Sequence, residues 1–119
     1  MRFLLIIVLS FLLSSCSSTS DYKKLHGTWT NGSIQISFPS NESIQISTNN
    51  DSIPEVSGAY SINGSDMFVQ FTSGSVPDSC GGEAKYEYRI NEIALNFDFI
   101  RDDCPFRKDE FSKTFKKIK

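Results

Sequence analysis

Hydrophobic and polar residues alternate in several segments of the chain beyond residue 28. Ser33–Phe38 and Ser43–Ser47 share the letters Ser-Ile-Gln-Ile-Ser, and in Ala84–Ile90 apolar and charged residues take turns. Such alternation gives a strand one apolar face and one solvated face. Turn signals, among them Asn31-Gly32 and Asn63-Gly64, interrupt the pattern. Short strands with turns about every 8 to 12 residues are typical of an all-β sandwich or barrel.

The pattern predicts about eight strands and no amphipathic helix of any length. Gly58 falls in the middle of one predicted strand, where a glycine indicates a bulge or a sharp bend. Eight short antiparallel strands joined by hairpins can close into a barrel without free edges. We therefore expect an all-β fold, a small antiparallel up-and-down eight-stranded barrel, with a two-sheet β-sandwich as the alternative. The other strands are predicted near Trp29 and over Glu55–Ile62, Met67–Thr72, Ile93–Phe99 and Glu110–Ile118, with loops over Ser73–Glu83 and Asp102–Lys108.

The N-terminal residues follow a different pattern. Arg2 supplies a positive start, and Phe3–Leu13 is apolar apart from Ser10. That length is typical of a signal-peptide core, and it is too short for a transmembrane helix, which needs about 20 apolar residues. An ordinary secretory signal with a chance cysteine at its end would give a similar run.

The run ends in Leu13-Ser14-Ser15-Cys16, which resembles the lipobox of bacterial lipoproteins. The resemblance implies cleavage before Cys16, a diacylglyceryl group on its sulfur and acylation of the new amino terminus. Residues 1–15 would then be a lipoprotein signal peptide, 16–21 a flexible serine-rich tether and 22–119 the β-barrel domain. Ser17 after the cysteine resembles cargo of the outer membrane, facing the periplasm or the cell surface. The membrane is then a partner through the lipid on Cys16.

The cysteine count gives a second prediction. Of the three cysteines, lipidation of Cys16 leaves Cys80 and Cys104 as a pair in an exported chain. Export favours a disulfide between them, which would stabilise the fold by roughly 3 kcal/mol. Free or metal-bound thiols are the alternative, although a metal site favours closer cysteine spacing and histidines.

Charge and side-chain chemistry exclude several functions. The formal net charge of −2 gives no support for nucleic-acid binding. His26 is the only histidine, so no nucleophile–base pair and no metal site can be assembled around it. We expect no enzyme activity, no cofactor and no metal. The acidic residues near the last loop are interpreted as partners of Arg101 and Arg107; they are Asp98, Asp102, Asp103 and Asp109.

Two short motifs resemble lipocalin-like proteins. Gly27-Thr28-Trp29 is similar to the Gly-x-Trp that begins their first strand, and Asp103–Arg107 resembles a turn in small bacterial lipocalin-like lipoproteins. The resemblance implies that Trp29 closes one end of the barrel and stacks on a basic side chain from the far end of the chain. Arg107 is the expected partner, with Arg101 second.

The resemblance also implies a binding function. Aromatic residues on the predicted inward faces are candidates for lining a site for a small apolar ligand; they are Tyr60, Tyr86, Tyr88, Phe97 and Phe99. The chain is much shorter than a full-size lipocalin, and side chains alone can fill an eight-stranded barrel. The short chain therefore favours a filled barrel, in which these aromatic residues form a packed core. The alternative function is a protein-binding module, such as an inhibitor of an envelope or host enzyme, with Ser73–Glu83 as its contact surface.

Overall fold

The computed structural model describes residues 22–48, 55–74 and 76–119. The predicted signal peptide, the tether and Cys16 lie outside these ranges. Eight antiparallel strands form a closed barrel in which each strand pairs with its neighbours in sequence and the last pairs with the first. The predicted all-β up-and-down barrel is confirmed, and the sandwich alternative is not formed. The strands are β1 (Thr28–Thr30), β2 (Ile34–Ser37), β3 (Ser43–Thr48), β4 (Val56–Asn63), β5 (Asp66–Ser73), β6 (Ala84–Ile90), β7 (Ala94–Arg101) and β8 (Phe115–Lys117).

The predicted alternation matches the burial of the strands. In β2 and β3 the isoleucines are at most 3% exposed, while the polar residues between them face outward. The inward side chains pack as one cluster, with ring centroids 4.6 Å apart for Phe97 and Phe111 and 5.0 Å apart for Phe38 and Tyr60. Apolar side chains therefore occupy the barrel interior. Burying this surface is the main source of stability for a chain of this size.

The prediction of one last strand over Glu110–Ile118, preceded by a loop, was wrong. A helix, α1 (Pro105–Phe111), comes first, and β8 is only three residues long. Pro105 occupies the first turn of α1, where a proline lacks no hydrogen bond that the helix needs. The buried face of α1 consists of Arg107, Glu110 and Phe111, so two of its three residues are charged. Hydrophobic periodicity could not reveal such a helix.

The predicted irregularity at Gly58 is confirmed. The register between β4 and β5 shifts between Ser57 and Gly58. A Cβ atom on Gly58 would lie 2.2 Å from the carbonyl oxygen of Gln70 and 3.0 Å from Cα of Phe71. Only glycine allows the two backbones to approach this closely.

The barrel has two ends of different construction. The N-terminal end carries residues 22–27, the turns 38–42, 64–65 and 91–93, and the last residues of the chain; it is tied together by backbone bonds such as Thr28 N–H to the Lys119 carbonyl at 3.2 Å. The helix end carries the β1–β2 turn, the segment 76–83 with its 3-10 helix Asp78–Cys80, and residues 102–114 with α1. Within the described ranges, no helix is long and apolar enough to cross a membrane.

Replacing Gly58 with alanine should lower the free energy of unfolding by about 1–3 kcal/mol, because the new methyl group forces β4 and β5 apart. The measurement is urea unfolding with linear extrapolation. Gly82→Ala is the matched control, since a Cβ there meets no atom within 4 Å. We expect the control to change stability by less than about 1 kcal/mol. Equal losses in the two variants would contradict the close approach at Gly58.

Candidate functional site

A buried ion pair holds α1 on the helix end of the barrel. Arg107 is 1% exposed, and its Nε and Nη2 atoms donate to the two carboxylate oxygens of Asp102, each at 2.7 Å. This two-point geometry is the strongest arrangement of an arginine and a carboxylate. The interpretation of Asp102 as a partner of Arg107 is confirmed. Asp98 instead pairs with Arg89 at 3.3 Å, and Arg101 pairs with Glu83 at 3.8 Å.

The surroundings of the pair satisfy most of its remaining polar atoms. The Arg107 guanidinium lies 4.6 Å from the ring centroid of Phe71, and its Nη2 also donates to the Gly82 carbonyl at 3.2 Å. Asp102 accepts further bonds from the Tyr86 hydroxyl and from the Cys104 N–H, the latter at 2.8 Å. In the described part of the chain, Arg107 Nη1 is the single buried side-chain nitrogen or oxygen atom without a partner. Such a network is stable because nearly every member is paired.

The network shifts two pKa values in opposite directions. Burial raises the pKa of Asp102, but the hydrogen bonds from Arg107, Tyr86 and Cys104 outweigh it, so the pKa lies below its usual value. Burial, together with the bond to Asp102, raises the pKa of Tyr86 far above its usual range. Because the carboxyl pKa is lower in the folded state, Asp102 contributes stability above about pH 4 and loses it as the pH falls further. Tyr86 stays a neutral donor throughout this range.

The predicted disulfide between Cys80 and Cys104 is confirmed. It joins the end of the 3-10 helix to the residue that precedes α1, and both cysteines are at most 1% exposed. The bond therefore ties the segment 76–83 to the same corner of the barrel that the Arg107–Asp102 pair stabilises. Closing a loop of 24 residues limits the freedom of the unfolded chain, which is worth about 3 kcal/mol.

A cleft of about 520 Å³ opens between β7 and α1 beside this network. We call it the aromatic cleft, because four rings line it. Phe99 is its most accessible ring, with half of its surface exposed, and Lys108 Nζ lies 4.3 Å from the Phe99 ring centroid. The cleft thus combines an apolar wall with one cation, Lys108, and two carboxylates, Asp98 and Asp109. Its lining residues are Tyr86, Phe97, Asp98, Phe99, Pro105, Lys108, Asp109, Phe111 and Ser112.

The five aromatic residues predicted to line a ligand site do not form one group. Tyr86, Phe97 and Phe99 meet at the aromatic cleft. Tyr60 and Tyr88 lie toward the N-terminal end, where their hydroxyls reach the carbonyls of Ser40 at 3.1 Å and of Gly64 at 3.4 Å. Phe99 was expected to point into the barrel, but it is half-exposed and lines the aromatic cleft. It lies on the same face as its cross-strand partner Tyr86, which is buried, so the predicted phase is correct and only the exposure differs.

The predicted contact between Trp29 and Arg107 was wrong. Trp29 is fully buried near the N-terminal end, and its indole N–H donates to the Leu25 carbonyl at 2.9 Å. The cation above its ring is Lys117, 5.5 Å from the ring centroid, because Lys117 pairs with Trp29 across β1 and β8. Gly27 precedes β1 with a φ of +119°, and a Cβ atom there would lie 2.3 Å from the Lys119 carbonyl oxygen. Arg107 belongs to the opposite end.

Sequence reasoning missed the contribution of α1 to the cleft. Lys108, Asp109 and Ser112 lie on or just after a helix that the pattern did not predict. Pro105 after a cysteine-containing loop was the available signal, since proline is frequent in the first turn of a helix. The charged residues on the buried face concealed the helical period. These charged side chains can be buried only because they form ion pairs and hydrogen bonds in the folded structure.

The described residues form no group of three or more histidine, cysteine or acidic side chains that could hold a metal ion. His26 lies exposed at the N-terminal end, where its Nε2 hydrogen-bonds with Asn41 Oδ1 at 2.9 Å. The aromatic cleft contains carboxylates, a lysine and a serine, but no imidazole among its lining residues. The arrangement can bind an apolar group beside a charge.

No model of a protein family, no curated protein and no solved structure matches the chain. The function is therefore argued from the residues of the buried network and the aromatic cleft.

Replacing Arg107 with leucine should destabilise the protein by about 3–5 kcal/mol, because the Asp102 carboxylate would remain buried without its counterion. Thermal and urea unfolding measure the loss. Arg89→Leu is the matched control, since the Arg89–Asp98 pair is more than half exposed on both sides. An exposed pair contributes less than about 1 kcal/mol. A similar loss in both variants would show that burial of the Arg107 pair is not decisive.

Proposed function

We propose that the protein is a bacterial envelope lipoprotein, anchored through lipid on Cys16, that binds a small apolar ligand in the aromatic cleft. In this proposal it acts by binding and not by catalysis, without a cofactor, at the outer membrane facing the periplasm or the surface. The observation that carries the binding function is the half-exposed Phe99, which stands over an aromatic floor with Lys108 beside it.

The packing of the barrel supports a site outside its interior. The buried apolar side chains, from Ile34 in β2 to Phe115 in β8, are at most 6% exposed and form one cluster. A ligand in the barrel would have to displace them. The aromatic cleft has a volume in the range of about 300–1,000 Å³ typical of small-molecule sites. Its floor belongs to the rigid core through Tyr86, Phe97 and Phe111.

The chemistry of the cleft indicates the kind of ligand. Aromatic rings bind flat apolar groups by edge and face contacts. Lys108 already lies over Phe99, so an anionic group on the ligand could pair with its ammonium while the apolar part contacts the ring. Two carboxylates also line the cleft, Asp98 and Asp109; Asp98 pairs with Arg89, which lessens its repulsion of an anion. A small apolar molecule with one acidic group, such as a fatty acid, fits this arrangement best.

The filled interior and the disulfide also support a second candidate function, a protein-binding module. Residues 73–74 and 76–83 are largely exposed, and the Cys80–Cys104 bond holds this segment on the helix end beside α1. Gln70 Nε2 and Arg107 Nη2 donate to the carbonyls of Gly81 and Gly82, which fixes the middle of the segment. A rigid loop on a stable barrel is a common contact surface for another protein.

The ligand site can be tested with the fluorescent dye anilinonaphthalene sulfonate, which is aromatic and anionic, and with a fatty acid that displaces it. We expect Phe99→Ala to weaken dye binding about three- to tenfold, since one aromatic contact is worth about 1 kcal/mol. Ile93→Ala removes an exposed apolar side chain at the other end of the barrel and should leave the affinity unchanged. A wild-type protein that binds neither dye nor fatty acid would contradict the ligand site and favour the protein-binding module.

The anchor has its own measurement, the intact mass of the protein purified from bacterial membranes. We expect a chain that begins at Cys16 and carries the added mass of acyl chains on this residue. Cys16→Ser should abolish the added mass and release the protein from the membrane fraction, because several acyl chains make attachment nearly permanent. A wild-type chain without lipid on Cys16 would contradict the anchor.

A further inference from the structure

We propose that the N-terminal end of the barrel lies on an anionic bilayer surface, with its lysines against lipid phosphates and two isoleucines at the headgroup boundary. This inference rests on the proposed lipid anchor and adds an orientation to it. The partner is a lipid surface, and the helix end with the aromatic cleft points away from it.

The closing strand brings the apolar and basic residues of this end together. The Lys117 N–H donates to the Ile93 carbonyl at 3.0 Å, so the β6–β7 turn lies directly beside β8. The Ile118 N–H donates to the Thr28 carbonyl at 2.9 Å, which places the next residue beside the start of β1. Ile93 and Ile118 therefore flank Lys117 on one hydrogen-bonded edge.

These two isoleucines are unusually accessible for apolar side chains. Ile93 is 73% exposed and Ile118 is 46% exposed, whereas the isoleucines of β2 and β3 are buried. The turn that carries Ile93 is well defined, since Asn91 Oδ1 accepts the N–H groups of Ile93 and Ala94, each at 2.9 Å. A fixed turn thus presents a large apolar side chain to solvent. Such exposed groups indicate an interaction surface when they lie together.

Positive charge is concentrated at the same end, although the whole chain has a net charge of −2. Five exposed lysines lie there, and within the described ranges none of them forms an ion pair. Glu42 and Glu92 are the exposed acidic residues of the neighbouring turns. A basic cluster beside apolar side chains is the combination that binds an anionic membrane interface. The lysines are Lys23, Lys24, Lys116, Lys117 and Lys119.

Covalent geometry places this end near the membrane. Tyr22 lies at the N-terminal end, where its hydroxyl accepts the Ile62 N–H at 3.2 Å. Five residues separate it from Cys16, so the two Cα atoms are six steps apart, which span at most about 22 Å even when fully extended. Strand β7 runs from the turn of Ile93 toward the cleft, whose residues Phe97 and Phe99 lie about 13 to 20 Å from Ile93 along the strand. The anchor therefore keeps the basic end close to the lipid and leaves the cleft accessible.

The test uses the mature chain, residues 16–119, with Cys16→Ser, so that any binding comes from the protein surface alone. Co-sedimentation is measured with vesicles of phosphatidylcholine and with vesicles containing phosphatidylglycerol. We expect binding only to the second kind, with a decrease as salt is raised. Equal binding to both kinds, or binding to neither, would overturn the proposal.

Paired variants locate the contact. The double variant Lys116→Gln, Lys119→Gln should weaken binding to the anionic vesicles at least about tenfold, since each lysine near the surface contributes several-fold. Lys108→Gln removes a lysine at the helix end and should leave vesicle binding unchanged. An equal loss in the two proteins would overturn the orientation. Because the chain used here carries no lipid, its behaviour is independent of the intact-mass measurement that tests the anchor.

Discussion

The structure depends on how its barrel closes. β1 and β8 are each three residues long, and only two residue pairs connect them: Trp29 with Lys117 and Thr30 with Lys116. So short a ladder contributes few hydrogen bonds, and closure must be secured by packing. Trp29 in β1 and Phe115 in β8 contribute this packing, since both side chains are fully buried. The helix that precedes β8 supplies the rest.

Helix α1 joins the closing strand to the core by two unlike kinds of contact. Phe111 stacks on Phe97 and extends the apolar interior to the helix end. Arg107 forms the buried pair with Asp102, on a carboxylate that also accepts from Tyr86 in β6. A buried pair is costly to desolvate and is more harmful when broken than it is helpful when formed. The pair serves to position α1, because two fixed hydrogen bonds define where the helix lies.

The two ends of the barrel have separate roles in the functions we propose. The helix end is rigid, carries the disulfide and opens the aromatic cleft at Phe99. The N-terminal end carries exposed lysines and isoleucines, and Tyr22 begins the described domain there. With an anchor on Cys16, the first end would meet ligands and the second would meet lipid. A barrel that is filled by side chains suits this division, because its interior serves only as the connection between the ends.

The sequence by itself determined the all-β class, the strand order and the bulge at Gly58, because the period of two and the turn residues are local signals. It also predicted the disulfide, from three cysteines and the expectation that Cys16 carries lipid. The tertiary structure determined the helix α1. Arg107 and Glu110 can be buried only because the fold places Asp102 and other polar partners against them.

The aromatic cleft was likewise beyond local reasoning. Phe97 and Phe99 have the same phase in β7, yet one is buried and the other half-exposed, because Phe111 and Phe115 pack on Phe97 whereas Phe99 lies at the wall of the cleft. The contact of Trp29 with Lys117, in place of Arg107, followed from register across the closing strands. Alternation predicts the face on which a side chain lies. How deeply that side chain is buried, and which residues it contacts, depend on where distant segments of the chain meet.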